Sequence, residues 1–461
     1  MPTECSQDSL DFGTVEGRAV VGAFDGGRIS SDAGALLLGQ TDKAIRLISR
    51  LARCFQDGRD PDATIHPLPA LLGQRIIGVA LGYEDINDHD QLRHDPVLGV
   101  LAGRLTSKRS NCAPLAGKST LNRLEHAAKV GADPYHKITH DTAAIERLFV
   151  TLYQDAHPEP PARIVIDLDA THDPLHGEQE GRHFSGFYDC YCYLPLYIFC
   201  GRHLLAAKLR GADKDAADGA KEEIARIVAQ IRERWPDVRI ILRADSGFAR
   251  DELMAWCEES GVDYIIGLAR NVRLVTAIKR ELVLARRASR RSGQAARRFA
   301  VLENWDTREG WARPRRIIAK AEWTRDEANP RFLVTSLHWT DGDARKLYED
   351  IYCQRGEMEN RIKECQTDMF AGRTSAATMR ANQLRLWFAA FAYMLVASLR
   401  RIGLAGTELA RATCGTIRLK LLKIGALITI SVRRVKVAFA SSCPSQAAFA
   451  IAHERLCQAA R

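Results

Sequence analysis

The spacing of hydrophobic residues between positions 163 and 270 predicts alternating strands and helices. Short apolar runs rich in β-branched and aromatic residues predict strands. The predicted strands are Ile164–Asp169, Tyr191–Phe199, Leu204–Leu209, Val238–Leu242 and Tyr264–Leu268. Helices are predicted over residues 218–234, where isoleucines recur on one stripe, and near 251–260. Three strands in succession, followed by alternating helix and strand, predict an α/β fold with a mixed sheet covered by helices.

The pattern differs on either side of this region. Residues 61–160 are predicted to be mainly helical, and residues 341–402 show helical spacing again. Between them, residues 271–340 contain four of the seven tryptophans and short strand-like runs, which predict a β-rich insertion. The runs are Phe299–Leu302, Arg316–Ala321 and Phe332–Ser336. In residues 403–461, apolar positions that alternate with Arg418 and Lys420 predict a basic β-hairpin.

These changes divide the chain into six predicted segments. They are an N-terminal segment (1–60), a helical region (61–160), a first core segment (161–270), an insertion (271–340), a second core segment (341–402) and a basic C-terminal element (403–461). The longest apolar run, Leu386–Leu399, is shorter than the ~20 residues that span a bilayer, so it predicts a core helix. The chain opens without a recognisable signal peptide, and we expect a cytoplasmic protein with reduced cysteines.

Positive charge is concentrated in two stretches. The formal net charge is +9, yet residues 271–300 contain nine Lys or Arg against one acid, and residues 411–440 contain seven and no acid. Such concentrated charge is typical of a surface that binds a polyanion such as DNA. The alternative for either stretch is an ordinary solvated face.

Two aspartates are predicted to lie at the ends of strands in the same sheet. Asp169 ends one apolar run, and Asp245 ends the segment that begins with the run Ile240–Leu242. Open α/β sheets bind ligands at such strand ends. Asp167 lies two residues before Asp169 and therefore shares its face, so either residue could be the functional one. The alternative for each aspartate is a turn or helix cap.

A third acidic residue, Glu359, lies on a predicted helix among polar neighbours. At 100° per residue, Tyr352, Arg355, Glu359 and Lys363 fall within one arc of about 80°. Glu357 and Glu364 fall elsewhere on the helix. The alternative is a salt-bridged solvent face, because Arg355 and Lys363 each lie four residues from Glu359.

Three carboxylates form a hard oxygen donor set that suits Mg²⁺ or Mn²⁺. Two such ions about 3.5–4 Å apart would activate an attacking water or 3′-hydroxyl and stabilise the leaving oxygen of a phosphodiester. Asp169, Asp245 and Glu359 are the predicted catalytic residues and metal ligands. Tyr352, Arg355 and Lys363 would lie beside the scissile phosphate as supporting donors.

Several motifs resemble those of DDE transposases, in particular the insertion sequence 1380 family. They include Asp169-Ala-Thr171, Arg243-Ala-Asp-Ser-Gly247 and the spacing Tyr-x-x-Arg-x-x-x-Glu that ends at Glu359. The resemblance extends to the stretches 83–90, 173–181 and 380–385, and so covers most of the chain. It implies an RNase H-like core interrupted by a β-rich insertion, two Mg²⁺ ions per site, and action on terminal inverted repeats.

The resemblance also favours Asp169 over Asp167, because the related motif places the ligand before a small residue and a threonine. One position departs from the family pattern. Related transposases often carry lysine seven residues after the glutamate, where this chain has Gln366. Lys363, one turn earlier, is a candidate to supply that charge. Related enzymes also stack a displaced base on an aromatic residue of the insertion. The candidates here are Trp305, Trp311, Trp323 and Trp339, and the alternative for each is an ordinary core residue.

The expected partner is double-stranded DNA, both terminal inverted repeats and target, bound by a homodimer in the bacterial nucleoid. The expected DNA-binding residues are Arg286, Arg287, Arg290, Arg291, Arg297, Arg298, Trp323, Arg418, Lys420, Lys423, Arg433, Arg434 and Lys436. Residues 61–160 are expected to bind DNA as well. Two alternatives remain, a stand-alone metal-dependent nuclease of the same fold and a catalytically silent DNA-binding regulator.

Overall fold

The computed structural model describes residues 9–106, 112–129, 137–307, 310–324 and 327–461. The chain forms two compact units, each assembled from separate stretches of sequence. The first contains Met1–Ala52, Arg59–Leu124 and Leu395–Arg461, and the second contains Arg53–Gly58 and Glu125–Met394.

Helices occur in both units. They are α1 (Leu36–Ile45), α2 (Leu47–Ala52), α3 (Leu68–Leu81), α4 (His89–Leu92), α5 (Pro96–Leu101), α6 (Lys118–Glu125), α7 (Thr142–Asp155), α8 (Ala220–Arg234), α9 (Asp251–Glu259), α10 (Val272–Ala277), α11 (Lys279–Ser292), α12 (Ala344–Lys346), α13 (Gly356–Lys363), α14 (Met379–Ile402), α15 (Cys414–Ile417) and α16 (Gln446–Ala459). Short 3₁₀ turns cover Ala33–Ala35, Ile86–Asp88, Ser246–Phe248, Trp339–Asp341 and Cys353–Arg355, and π-turns cover Leu347–Tyr352, Glu364–Asp368 and Arg418–Leu422.

The strands range from two to ten residues. They are β1 (Leu10–Val15), β2 (Arg18–Gly22), β3 (Ile29–Ser30), β4 (Phe55–Asp57), β5 (Ala128–Lys129), β6 (Ile138–His140), β7 (Arg163–Ala170), β8 (Asp173–Pro174), β9 (His183–Ser185), β10 (Cys190–Tyr193), β11 (Leu196–Cys200), β12 (His203–Lys208), β13 (Arg239–Ala244), β14 (Asp263–Leu268), β15 (Ala296–Trp305), β16 (Arg315–Thr324), β17 (Glu327–Ala328), β18 (Arg331–Thr335), β19 (Ala426–Ile430) and β20 (Val435–Phe439).

A nine-stranded mixed sheet organises the second unit. Its order is β12-β11-β7-β13-β14-β18-β16-β15, with β17 paired to β16. Strands β7, β13 and β14 are parallel neighbours, and the remaining pairs are antiparallel. The mixed α/β sheet expected from the sequence is confirmed.

Helices cover this sheet because their apolar stripes match its apolar faces. Ile224, Ile227 and Ile231 of α8 pack with Ile164 and Ile166 of β7 in one buried cluster, to which α7 and α9 also contribute. The opposite face buries Ile241 and Ile265 against Leu347 and Tyr348. This second contact places the segment before Glu359 against β13 and β14.

The predicted strand Tyr191–Phe199 is wrong as a single element. Strand β10 pairs with β8 and β9 in a small three-stranded sheet, whereas β11 joins the large sheet. Leu194 and Pro195 separate them, and proline cannot donate a backbone hydrogen bond to a ladder. The continuous apolar character of the run concealed this break.

The strand-like runs predicted in residues 271–340 correspond to β15, β16 and β18, with Ser336 one residue beyond β18, but they do not form a β unit of their own. Strand β18 pairs with β14, and β16 and β15 follow, so these strands extend the large sheet. Most of the arginine-rich stretch forms helix α11, which packs on β15 and β16, whereas Arg273 lies in α10 and Arg297 and Arg298 lie in β15. Hydrophobic periodicity identifies strands without identifying their partners, so the sequence did not reveal this pairing.

The predicted hairpin of the C-terminal element begins later than expected. Residues 414–422 are helical, and the hairpin is formed by β19 and β20, followed by α16. Ile417 and Leu421 are buried and Leu419 is exposed. Because Ile417 and Leu421 are four residues apart, they satisfy helical spacing as well as alternation.

The apolar run Leu386–Leu399 lies within α14, with both end residues buried. Over the described residues, no helix is both long enough and apolar enough to cross a membrane.

Candidate active site

Two parallel strands bring Asp169 and Asp245 to the same edge of the large sheet. Leu168 of β7 pairs in register with Ala244 of β13, so the next residue of each strand is an aspartate. Both lie at the carboxyl ends of their strands, where ligand sites of α/β sheets form. The register therefore makes these two acids neighbours.

Asp245 is held by the turn that it begins. Its Oδ1 accepts a hydrogen bond of 2.8 Å from the amide of Gly247, which caps the 3₁₀ turn Ser246–Phe248. Its Oδ2 remains directed toward Arg355, and the side chain is 43% exposed. One oxygen of Asp245 is thus structural and the other is accessible.

Arg355 links these aspartates to Glu359. Its Nη2 lies 3.0 Å from Oδ2 of Asp169 and 3.7 Å from Oδ2 of Asp245, and its Nη1 lies 2.8 Å from Oε1 of Glu359. The four-residue spacing places Arg355 and Glu359 on one helical face. We refer to Asp169, Asp245 and Glu359 as the carboxylate triad.

The triad concentrates negative charge in a partly buried position. Burial raises the pKa of Asp169 to about 6. The guanidinium of Arg355 opposes this rise, whereas the carboxylates of Asp245 and Glu359 add to it. A cation near these oxygens therefore favours the ionised form of Asp169.

Asp167 is engaged elsewhere. Its Oδ1 and Oδ2 accept hydrogen bonds of 2.5 and 2.8 Å from Nε and Nη2 of Arg243, in a buried bidentate pair. Arg243 also donates to the carbonyl of Ile351. The geometry favours Asp169 over Asp167 as the acid available to a ligand, because both oxygens of Asp167 are occupied.

Gly267 allows the close packing beneath the triad, and the sequence reasoning missed it. A Cβ at this position of β14 would lie 2.7 Å from Oη of Tyr352, 2.9 Å from the amide of Ser246 and 3.1 Å from the carbonyl carbon of Asp245. A glycine inside an apolar strand was the available signal, because it often marks close approach of another chain segment.

Lys363 and Gln366, which follow Glu359 in the same helical segment, differ in their exposure and contacts. Lys363 is exposed on α13. Gln366 occupies the position where related enzymes carry lysine, and its Nε2 donates to the carbonyl of His172 at 3.3 Å. Gln366 therefore ties this helical segment to the loop that follows β7.

The triad offers the oxygen donors that Mg²⁺ prefers. In the described ranges, no three acidic, histidine or cysteine side chains are already arranged to hold a metal ion. Arg355 instead lies among the three carboxylates. The three carboxylates are suitable ligands for a divalent ion, which would replace the Arg355 guanidinium as the partner of their oxygens.

Helix α11 presents a basic surface. Ile278 and Leu282 pack with the cluster beneath it, and the arginines on its outer face are exposed. These exposed arginines are Arg286, Arg287, Arg290 and Arg291. Arg298 of β15 is exposed as well, whereas Arg297 forms ion pairs with Glu322 and Glu349.

Two of the expected DNA-binding residues in the first unit have internal roles. The ammonium of Lys423 lies 2.6 Å from the buried carboxylate of Asp32 and 4.0 Å from the ring centroid of Tyr83. Arg418 donates from Nε to the carbonyl of Ala80 at 2.8 Å, near the end of α3. The remaining members of this group are exposed, namely Lys420, Arg433, Arg434 and Lys436.

Three of the four candidate tryptophans form a cation–π contact with an arginine guanidinium. Arg273 lies 5.0 Å from the centroid of Trp305, Arg315 lies 5.4 Å from that of Trp311, and Arg286 lies 5.0 Å from that of Trp323. Trp339 is 68% exposed and follows β18.

The family model described as transposase DDE domain, group 1, matches residues 12–461. The comparison with curated proteins gives no match.

Proposed function

The chain belongs to the transposase DDE domain group 1 family, and we propose that it cuts the terminal inverted repeats of an insertion sequence and joins them to target DNA. One observation is the main support for this proposal. Asp169, Asp245 and Glu359 all lie close to Arg355 at the carboxyl edge of the sheet. The motif resemblance further suggests the insertion sequence 1380 family.

The carboxylate triad would hold Mg²⁺, with Mn²⁺ as a substitute and two ions per site. When bound, these ions supply activation of the attacking water or 3′-hydroxyl and stabilisation of the leaving oxygen. Asp169 and Glu359 would each offer the oxygen that now contacts Arg355. Asp245 would offer Oδ2, because its Oδ1 holds the Gly247 amide.

With the carboxylates engaged by metal, the Arg355 guanidinium would donate to the scissile phosphate. Tyr352 lies beneath the same site, against Gly267, and would orient this phosphate through its hydroxyl. Lys363 would contribute positive charge from the exposed side of α13. Asp167 and Arg243 would hold β7, β13 and the segment near Ile351 in place.

The proposed DNA-binding residues form one group in each unit: the exposed arginines of α11 in the second unit and the exposed cations of residues 420–436 in the first. Phosphate contacts from these side chains would make binding strongly salt-dependent. We also propose that the active form is a homodimer, because two transposon ends require coordinated cuts.

A strand-transfer assay tests the proposal. The substrates are end-labelled DNA carrying the inverted repeats that flank the reading frame and a supercoiled target plasmid, with Mg²⁺. We expect cleaved and joined products from the wild type, and at least about a hundredfold less from Asp245→Asn.

Asp237→Asn is the matched control, since Asp237 is exposed in the turn before β13. It should react like the wild type. Cleavage without joined product would favour a stand-alone nuclease, and DNA binding without cleavage would favour a silent regulator. Unchanged cleavage by Asp245→Asn would refute the assignment of the site.

A further inference from the structure

Helix α11 packs on β15 and β16 with one side only. The buried side of the helix contains Leu282 and Ala285, and Ile278 immediately before the helix continues the same line. The opposite side faces solvent over the whole length of α11. A helix of 14 residues is about 21 Å long, so this exposed side is long enough to follow an extended ligand.

Two arginines lie on the outermost line of α11. Arg280 and Arg287 are both exposed, and at 100° per residue they fall about 20° apart. Each lies about 160° from the buried residue two positions before it, Ile278 or Ala285. Both side chains therefore project away from the sheet. Seven residues separate the two arginines by about 10.5 Å along the helix axis.

These two arginines are available to a ligand. Arg286, on the flank of the same helix, lies 5.0 Å from the ring centroid of Trp323. Among the residues that the structure describes, neither Arg280 nor Arg287 has a partner of this kind or an ion pair. Glu281 is the one acidic residue of α11, and it lies about 100° from Arg280 around the helix. The outermost line therefore carries positive charge without a counterion.

Two apolar side chains flank the outermost line. Val283 is 41% exposed and Leu284 is 37% exposed. They lie about 40–60° from the two arginines, one on each side. Phosphate offers nothing to an apolar side chain, whereas the base edges in DNA include the methyl group of thymine. The combination of arginine with valine and leucine therefore suits base edges better than a row of phosphates.

The dimensions of a helix select one groove of one nucleic acid. An α-helix with its side chains is about 10–12 Å across. The major groove of duplex DNA is about 12 Å wide, and the minor groove is about 6 Å wide. The major groove of an RNA duplex is too narrow for side chains to read. The ligand that fits the exposed side of α11 is thus the major groove of duplex DNA.

We propose that α11 enters the major groove of the terminal repeat and that Arg280 and Arg287 donate hydrogen bonds to the O6 and N7 acceptors of guanine. Their separation corresponds to guanines about three base pairs apart. Val283 and Leu284 contact thymine methyl groups, and the arginines of the last turn contact phosphates. This inference rests on the proposed function, because it takes terminal repeat DNA as the substrate. It assigns the reading of base sequence to two named residues.

The test compares two duplexes of the terminal repeat, one natural and one with 7-deazaguanine in place of guanine. The substitution removes the N7 acceptor and preserves base pairing. Binding of the full-length protein is measured by fluorescence anisotropy without added Mg²⁺, so the readout does not require cleavage. We expect the wild type to bind the substituted duplex about tenfold more weakly. Arg280→Ala/Arg287→Ala should bind the natural duplex more weakly than the wild type and should not distinguish the two duplexes.

Arg290→Ala is the matched control, because it removes an exposed arginine of the same helix about 60° from the line of Arg287. It should weaken binding to both duplexes and retain the tenfold preference. Equal binding of the two duplexes by the wild type would overturn the inference, as would a tenfold preference retained by Arg280→Ala/Arg287→Ala.

A strand-transfer assay with the same DNA separates this inference from the proposed function. A wild type that prefers the natural duplex but neither cuts nor joins it refutes the proposed function and supports the base contacts. Normal joining by a wild type that does not distinguish the two duplexes refutes only the base contacts.

Discussion

The guanidinium of Arg355 lies 3.0 Å from the carboxylate of Asp169, and its other terminal nitrogen contacts Glu359. One cation thus balances carboxylates from a strand and from a helix that are distant in sequence. A divalent metal ion would need the same oxygens. The guanidinium and a metal ion would therefore compete for these oxygens, and a bound phosphate would give Arg355 another partner.

Arg355→Ala should bind Mn²⁺ more tightly than the wild type when DNA is absent. Removing the competing charge should raise the affinity by about tenfold in isothermal titration calorimetry. DNA cleavage should nevertheless fall, because the donor to the phosphate is lost. Arg345→Ala, which alters an exposed i, i+4 pair with Glu349, is the control. Unchanged or weaker Mn²⁺ binding by Arg355→Ala would contradict the competition.

Asp167→Asn should mainly reduce stability, whereas Asp169→Asn should mainly abolish DNA cleavage. Asp167 pairs with Arg243 in the interior, and breaking a buried ion pair costs about 3–5 kcal/mol. We expect Asp167→Asn to lower the thermal unfolding midpoint by roughly 6 °C or more. Asp169→Asn should abolish cleavage with a much smaller change in the midpoint. Loss of cleavage in a stable Asp167→Asn protein would reverse the assignment.

Hydrophobic alternation is sufficient to group the candidate acids but does not distinguish between Asp167 and Asp169, for which only the motif resemblance gave a preference. Alternation places both on one face of β7, and that is all that a local pattern can give. The distinction comes from Arg243, which is aligned with Asp167 by the pairing of β7 with β13. Such pairing joins residues 76 positions apart, and hydrophobic periodicity does not encode it.

Gly267→Ala should disturb the site while leaving the fold intact. The added methyl group would meet the hydroxyl of Tyr352 and the backbone at Ser246 within 3.0 Å, and a backbone atom cannot rotate away. We expect cleavage to fall by at least about tenfold, since displacements near 1 Å impair catalytic geometry. Gly356→Ala is the control, because a Cβ there meets nothing within 4 Å. Equal activity of the two variants would show that Gly267 is not required.

Substitution of the expected DNA-binding cations should weaken DNA binding at some positions and lower stability at others. Arg290 and Arg291 are exposed on α11, so changing both to glutamine should weaken DNA binding and reduce the slope of log affinity against log salt by about 2. Lys423→Gln should instead lower thermal stability, because Asp32 is buried and would lose its cation. A reduced salt slope in a stable Lys423→Gln protein would contradict this division.

The same division shows what charge counting can predict. The concentration of arginines in residues 271–300 was visible in the sequence, and α11 exposes several of them. Arg418 and Lys423 belong to an equally basic stretch, yet they contact Ala80 and Asp32. Composition cannot separate these cases, because the partners of Arg418 and Lys423 lie more than 300 residues earlier in the chain.

Asp173 should make the protein less stable as pH rises from about 4 to about 7. Its carboxyl group is buried in β8, and burial raises its pKa from 3.8 to about 7, although a hydrogen bond with Thr374 opposes the rise. In this range the folded state keeps a proton that the unfolded chain has lost, so unfolding becomes more favourable with each increase in pH. Above about pH 7 the effect levels off.

Asp173→Asn imitates the protonated side chain and should remove this dependence. Thermal unfolding should give similar midpoints for wild type and variant near pH 4 and a higher midpoint for the variant at pH 8. The difference at pH 8 corresponds to about 2–4 kcal/mol in the free energy of unfolding. Asp237→Asn, at an exposed position, should show no such divergence. A constant difference between Asp173→Asn and the wild type at both pH values would show that folding does not raise the pKa of Asp173.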